Sequence, residues 1–253
     1  MRVNRRELRA RARGALRGNY STAIGACLLF GVLAGLNRVV LTMCSLLYQT
    51  RSLLLEQESR PVVTETIRAV EILVFLVFCG VLIPGFQKMY LNICQKGKGS
   101  VGDIFWGFGE QFWRFLGLSL ILVILGAVVH TPVAVLSAAM ERGGAGEFPE
   151  LFLSLYLPVI VLIGVWLCLD YCLLPFVLAD RTELSLTEAL EKSREMIRGN
   201  RMEFLILNFS FSGWYAAAFL FCGIGFLWLI PYVKCANLLF YLDLKEEGAI
   251  SQE

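Results

Sequence analysis

Charge is scarce in this sequence. Asp, Glu, Lys and Arg make up 17% of its 253 residues, against about 25% in an ordinary globular chain. A disordered chain needs high charge and low hydrophobicity, so that class is excluded. Histidine occurs once, at His130. A single histidine builds neither a metal site nor a Ser-His-Asp triad by itself. The eight cysteines form no CxxC pair and lie in or beside apolar stretches, where a free thiol serves as a small packing group. Phosphate-binding loops, the GxSxG elbow, HExxH and dinucleotide fingerprints are all missing. With seven prolines and no Gly-X-Y period, a collagen-like chain is excluded. The longest polar connections run to about 20 residues, too short for a folded soluble domain. These absences point to a chain that is not an enzyme and uses no cofactor or metal.

What the sequence has in excess is apolar length. Hydrophobic residues reach 57%, above the usual 45–50% or so, and mean hydropathy is +0.65. A helix rises about 1.5 Å per residue, so crossing a hydrocarbon core of about 30 Å takes roughly 20 apolar residues. Uncharged or nearly uncharged runs of this kind recur along the chain. The stretch 204–242 would be about 58 Å long as a straight helix, twice the core thickness. It is expected to turn back at Cys222-Gly223-Ile224-Gly225, because glycine tolerates the backbone of a tight corner. The expected fold is a single all-α transmembrane domain over 1–253. It has six spans at about 20–37, 69–93, 114–138, 152–178, 203–221 and 224–242, arranged as three hairpins. On this topology seventeen Lys and Arg residues fall on the side of the termini. Four fall on the other, namely Arg51, Arg60, Arg68 and Arg142. The positive-inside bias places both termini in the cytoplasm of a multi-pass cell-membrane protein.

Three cytoplasmic segments resemble one another. Each opens on a polar side chain three residues before an acid, the pattern of a capping box: Asn4 with Glu7, Ser100 with Asp103, Ser185 with Glu188. The first and third end as Arg17-Gly18-Asn19 and Arg198-Gly199-Asn200, with glycine where a left-handed residue closes a helix. The return spans share Leu82-Ile83-Pro84, Leu173-Leu174-Pro175 and Leu229-Ile230-Pro231. The pattern reads as three tandem units of interfacial helix plus hairpin. In the basic helix at 1–19, Leu8, Ala12, Ala15 and Leu16 form an apolar stripe, and Arg5, Arg9, Arg13 and Arg17 repeat beside it. Such a helix is expected to lie on an anionic leaflet, each arginine contributing about 1 kcal/mol. Anionic membrane lipids are therefore the expected partners, with a membrane-protein partner as an alternative. Nucleic acid is not expected, since topology already accounts for the charge. The helix at 185–199 carries mixed charge and is expected to dock on protein. The middle segment is aromatic, with Phe105, Trp106, Phe108, Phe112 and Trp113, as at a membrane interface.

Charges within spans are costly and are functional candidates by default. Lys88, Asp170 and Lys234 each lie about 12–13 Å from the inner end of their span at helical rise. Asp170 is expected to pair with Lys234 or Lys88, forming an intramembrane polar cluster in which each charge offsets the burial of the other. Gly80 and Gly85 flank Pro84 and would allow close helix approach or a kink.

Several stretches resemble one bacterial integral-membrane family. They are Arg5-Arg6-Glu7-Leu8 through Arg17-Gly18-Asn19-Tyr20, then Leu178-Ala179-Asp180 with Ala189 to Gly199, then Gly213-Trp214, Gly223-Ile224-Gly225 and Ile230-Pro231-Tyr232. The family is the domain of unknown function 975. The resemblance runs over nearly the whole chain and implies a polytopic cell-membrane protein, found mostly in Gram-positive bacteria. It implies no activity, substrate or catalytic residue. The resulting expectation is a non-enzymatic, lipid-interacting or partner-organising membrane component. The alternative is a transporter or channel for a small or lipid-like solute, and an intramembrane enzyme is the weakest reading.

Overall fold

A computed structural model describes residues 5–54, 61–109, 111–121, 124, 148–221 and 223–250. Asn4, Cys222, His130, the loop 141–147 and most of the expected span 114–138 lie outside them. Every described element is helical. The chain runs through α1 (Arg5–Leu16), α2 (Tyr20–Leu54) and α3 (Pro61–Lys96) to a 3-10 helix at Val101–Phe108. It continues through α4 (Phe112–Ile121), α5 (Phe148–Asp170), α6 (Leu174–Asp180) and α7 (Leu186–Ile197). It ends with α8 (Arg201–Phe209), α9 (Ser212–Leu220) and α10 (Phe226–Ile250).

Three of the described helical stretches are long and apolar enough to cross a membrane: Tyr20–Tyr48, Ser154–Asp180 and Phe226–Gly248. The shortest has 23 residues, about 34 Å of helix, against a core of about 30 Å. Their surroundings differ. Within the most apolar window, 56% of the last is buried inside the protein, against 6% of the first and 17% of the second. α10 is thus the central helix, while α2 and α5 present broad apolar surfaces outward. Surfaces of that extent mark contact with lipid or another protein.

Helix boundaries depart from the expected spans in three places. α2 continues to Leu54 and α3 begins at Pro61, so the excursion expected at 38–68 is largely helix. The sequence at 38–54 holds no Gly or Pro and so nothing that breaks a helix. The stretch 152–178 is interrupted by a turn at 171–173 between α5 and α6. Pro175 sits in the first turn of α6, where its missing N–H is harmless but continuation from α5 is not. Pro84 and Pro231, in the matching triplets, lie inside continuous helices. Finally, 203–221 breaks at Ser210-Phe211 into α8 and α9, nine residues each, or about 13 Å apiece.

Other local readings hold. Ser100 and Ser185 each complete a capping box, with Asp103 and Glu188. Gly18 and Gly199 adopt φ of +83° and +91°, and Gly223 at the expected corner takes +81°. α1 and α7 have the same length, twelve residues, and end on the same glycine turn. The middle unit is an eight-residue 3-10 helix instead, because it is pressed against α3. A Cβ on Gly85 would sit 2.0 Å from the Ile104 carbonyl oxygen, and one on Gly107 would sit 2.2 Å from that of Val81. Only hydrogen at these two positions permits the approach. The core gathers where α1, α3, α6 and α10 meet, around Tyr90, Tyr241, Phe240, Leu8 and Leu16.

Candidate functional site

The basic helix α1 is the first element whose surroundings decide its role. Leu8, Ala12 and Leu16 are buried, and α1 packs chiefly on α10, with a smaller contact to α3. The expected stripe therefore exists but rests on protein, not on a leaflet. The stripe is taken up because α10 and α3 offer it apolar side chains of the same core. The polar face fixes the register. Arg11 Nη1 donates to both Asp243 carboxylate oxygens at 2.8 and 3.0 Å. Arg9 Nη2 donates to the Ser210 carbonyl at 3.0 Å, and its guanidinium lies 5.0 Å from the Phe211 ring centroid. Arg5, Arg13 and Arg17 remain exposed.

The three charges read as an intramembrane cluster are placed differently. Asp170 is 1% exposed, and its described ion pairs go to Arg201 Nη2 at 2.5 Å and Arg194 Nε at 3.5 Å. The expected pairing with Lys88 or Lys234 is replaced by arginines of α7 and α8. The depth estimate assumed one straight helix from Asp170 to Ala179. The turn after Asp170 ends α5 there, and α7 folds back so that Ser193 Oγ donates to the Asp170 carbonyl at 3.4 Å. Lys88 donates to the Ala179 carbonyl at 2.9 Å and lies 5.2 Å from the Trp106 ring centroid. It thereby satisfies one of the orphan carbonyls at the end of α6. Lys234 is partly buried on α10. Among the described residues no ion pair or hydrogen bond joins Lys88, Asp170 and Lys234 to one another.

A pattern emerges among these cations. Lys88 on Ala179, Arg9 on Ser210 and Arg114 on Thr182 (3.1 Å) all donate to carbonyls at helix ends or breaks. Asp180 accepts from Tyr241 Oη at 2.7 Å and is ion-paired with Lys245. Much of the charge near the helix ends is thus consumed in tying helices together. In the same region Glu188 is held below its usual carboxyl pKa of 4.5, because the Ser185 backbone N–H and hydroxyl bond to its charged form.

One cavity has a different character. It measures about 530 Å³ and lies between α1, the start of α2 and the α9–α10 hairpin. Trp214, Ala217, Ala218, Phe221, Trp228 and Leu229 line its apolar part, with Gly225 at the corner; Arg9, Arg13, Tyr20 and Tyr232 form its polar edge. Gly225 brings α10 against α9, since a Cβ there would sit 2.8 Å from Ala218 Cα. Arg9 and Arg13 were legible as part of the basic repeat. The aromatic wall was not, because Trp214, Trp228 and Tyr232 belong to helices whose contact with α1 is set only by folding. A second cavity, of about 310 Å³, is lined by Leu169, Phe204, Leu205, Asn208, Phe209, Ser212 and Tyr215. Among the described residues no three His, Cys, Asp or Glu side chains gather to hold a metal ion.

These features define an all-helical chain with membrane-length apolar helices and a basic helix docked on its core. The chain belongs to the family described as protein of unknown function (DUF975), whose profile matches residues 1–248. No curated protein and no solved structure matches it.

Proposed function

We propose that this chain is a non-enzymatic, multi-pass protein of the bacterial cell membrane that engages anionic lipid headgroups through the arginine face of α1. In this reading the six apolar runs form three hairpins, and both termini lie in the cytoplasm. The observation that carries it is the division of labour on α1. The apolar stripe is used up on α10 and α3, yet Arg5, Arg13 and Arg17 stay exposed. A basic face fixed to the membrane-proximal core adds its charges at the height of the headgroups, each contributing about 1 kcal/mol on an anionic surface. The exposed Phe105 of the 3-10 helix and Trp113 of α4 suit the same interfacial level. Organising a partner protein is compatible with this role. Solute transport is the weaker reading. The Asp170 carboxylate is taken up by Arg194 and Arg201 and lines neither cavity described above.

The test is thermal unfolding of the purified chain in neutral detergent with added phosphatidylglycerol or phosphatidylcholine. The anionic lipid is expected to raise Tm more at equal mole fraction, with a gain that shrinks in high salt and in the Arg5→Gln/Arg17→Gln variant. Equal stabilisation by the two lipids would overturn the reading.

A further inference from the structure

The proposed lipid contact is diffuse, but the cavity beneath α1 is not. We infer that this cavity holds one anionic phospholipid, its phosphate between Arg9 and Arg13 and an acyl chain along Trp214, Phe221 and Trp228. The inference rests on the lipid-interaction reading above and deepens it.

Size comes first: about 530 Å³ falls inside the roughly 300–1,000 Å³ of pockets that bind small molecules. Charge comes second. Arg9 and Arg13 are four residues apart on one helix, so their guanidinium groups lie on one face. No Asp or Glu lines the cavity, and among the described residues neither arginine is ion-paired. Arg9 spends Nη2 on Ser210 while its Nε is buried without a hydrogen-bond partner. A buried donor left without a partner is costly, and an oxyanion resolves that cost. Guanidinium forks match phosphate oxygens in pairs, and Tyr20 and Tyr232 add hydroxyl donors at the same edge. The third observation is the wall. It is apolar and its outer members, Trp214, Phe221 and Trp228, are exposed, so a chain leaving the cavity continues into the bilayer. Tryptophan suits that boundary between apolar and wet surroundings. A head that needs two cations joined to a tail that needs aromatic cover is an anionic amphiphile.

The experiment uses the full chain, stripped of lipid in neutral detergent and reloaded with equimolar phosphatidylglycerol and phosphatidylcholine. Native mass spectrometry then counts what is retained. One phosphatidylglycerol per chain is expected, held at least tenfold more tightly than phosphatidylcholine. Arg13→Gln, which removes an exposed side chain with no hydrogen bond or ion pair among the described residues, is expected to cut that preference by about tenfold. Lys192→Gln, on α7, none of whose residues line the cavity, is expected to leave it unchanged. On the unaltered chain, phosphatidylglycerol brominated on its acyl chains is expected to quench tryptophan emission at one equivalent, with most of the quenching lost in Trp214→Phe/Trp228→Phe. If phosphatidylglycerol is preferred but Arg13→Gln changes nothing, or the quenching survives loss of both tryptophans, the cavity assignment falls and the diffuse reading stands. If inorganic phosphate displaces the lipid at equal concentration, the tail contributes nothing and the phospholipid assignment also falls. If neither lipid is preferred, both readings fall.

Discussion

The buried carboxylate of Asp170 allows a quantitative test of how the α7–α8 segment is anchored. Asp170 is 1% exposed, whereas the side chains of its partners Arg201 and Arg194 are 33% and 56% exposed. Removing either side of such a pair is therefore not equivalent. Without Asp170 the two guanidinium groups turn toward water, so Asp170→Asn is expected to cost about 1.5–2 kcal/mol, the lower part of the roughly 1.5–3 kcal/mol of hydrogen bonds to charged groups. Without Arg201 the carboxylate stays buried, with only Arg194 at 3.5 Å. Breaking a buried pair in that sense costs roughly 3–5 kcal/mol, and the remaining arginine puts Arg201→Met near 3 kcal/mol. Once Asp170 is Asn, Arg201→Met should cost no more than about 1 kcal/mol, so the double-mutant cycle should give a coupling near 2 kcal/mol. That is roughly thirtyfold in the ratio of folded to unfolded chain. The assay is reversible unfolding in mixed micelles by increasing sodium dodecyl sulfate, followed by far-ultraviolet circular dichroism. The reasoning is refuted if Arg201→Met costs the same in both backgrounds, or if Asp170→Asn is the more damaging single change.

Other outcomes follow from the packing. Gly85→Ala and Gly107→Ala drive a Cβ to within 2.0–2.2 Å of backbone oxygen and should each lower stability by at least the 1–3 kcal/mol or so of overpacking. Gly14→Ala, with open space at its Cβ inside α1, should instead gain up to about 1 kcal/mol; thermal melts of the three variants decide this. Leu16→Ala empties a fully buried position between α1 and the core and should cost about 2–5 kcal/mol in the same melts. Ser185→Ala removes the cap of α7 and should cost about 1 kcal/mol, seen as faster amide exchange in that helix. Glu188, whose pKa is lowered by the cap, stabilises α7 at pH above its unfolded value near 4.5. That support is lost as pH falls through the lower folded value, so amide protection factors in α7, corrected for intrinsic exchange, should drop there and stay level between pH 6 and 8. Cys94 and Cys235 have sulfurs 2.9 Å apart on α3 and α10. Treatment of the folded chain with diamide should join them with loss of two hydrogens, which peptide mapping would locate.

Local features were legible because their causes are local. The capping boxes at Ser100 and Ser185, the left-handed glycines at 18, 199 and 223, and the membrane length of three apolar helices all follow from a few neighbouring residues. The apolar stripe of α1 was equally plain, since residues four apart share a helix face. The choice of what that stripe meets was not plain, because lipid and the flank of α10 are both apolar and pattern alone does not separate them. The repeat was legible in part: α1 and α7 match in length and ending, while the middle unit is a 3-10 helix shaped by its contact with α3.

Partner choice among charges belongs to the tertiary structure. Asp170, Lys88 and Lys234 sit at similar depth on a straight-helix count, and the count fails where the chain breaks after Asp170. That break delivers Asp170 to Arg194 and Arg201 and leaves Lys88 to the open carbonyl of Ala179. The cavity under α1 arises the same way, from a cation pair on the first helix and aromatic side chains some 200 residues later. Composition and spacing within single helices were enough for an all-helical chain with apolar helices of membrane length, a basic helix at its start and glycine at its turns. Which helix lies at the centre, which cation meets which carboxylate, and where arginine and tryptophan share one cavity came from the folded arrangement. Those outcomes depend on distances between segments far apart in the chain.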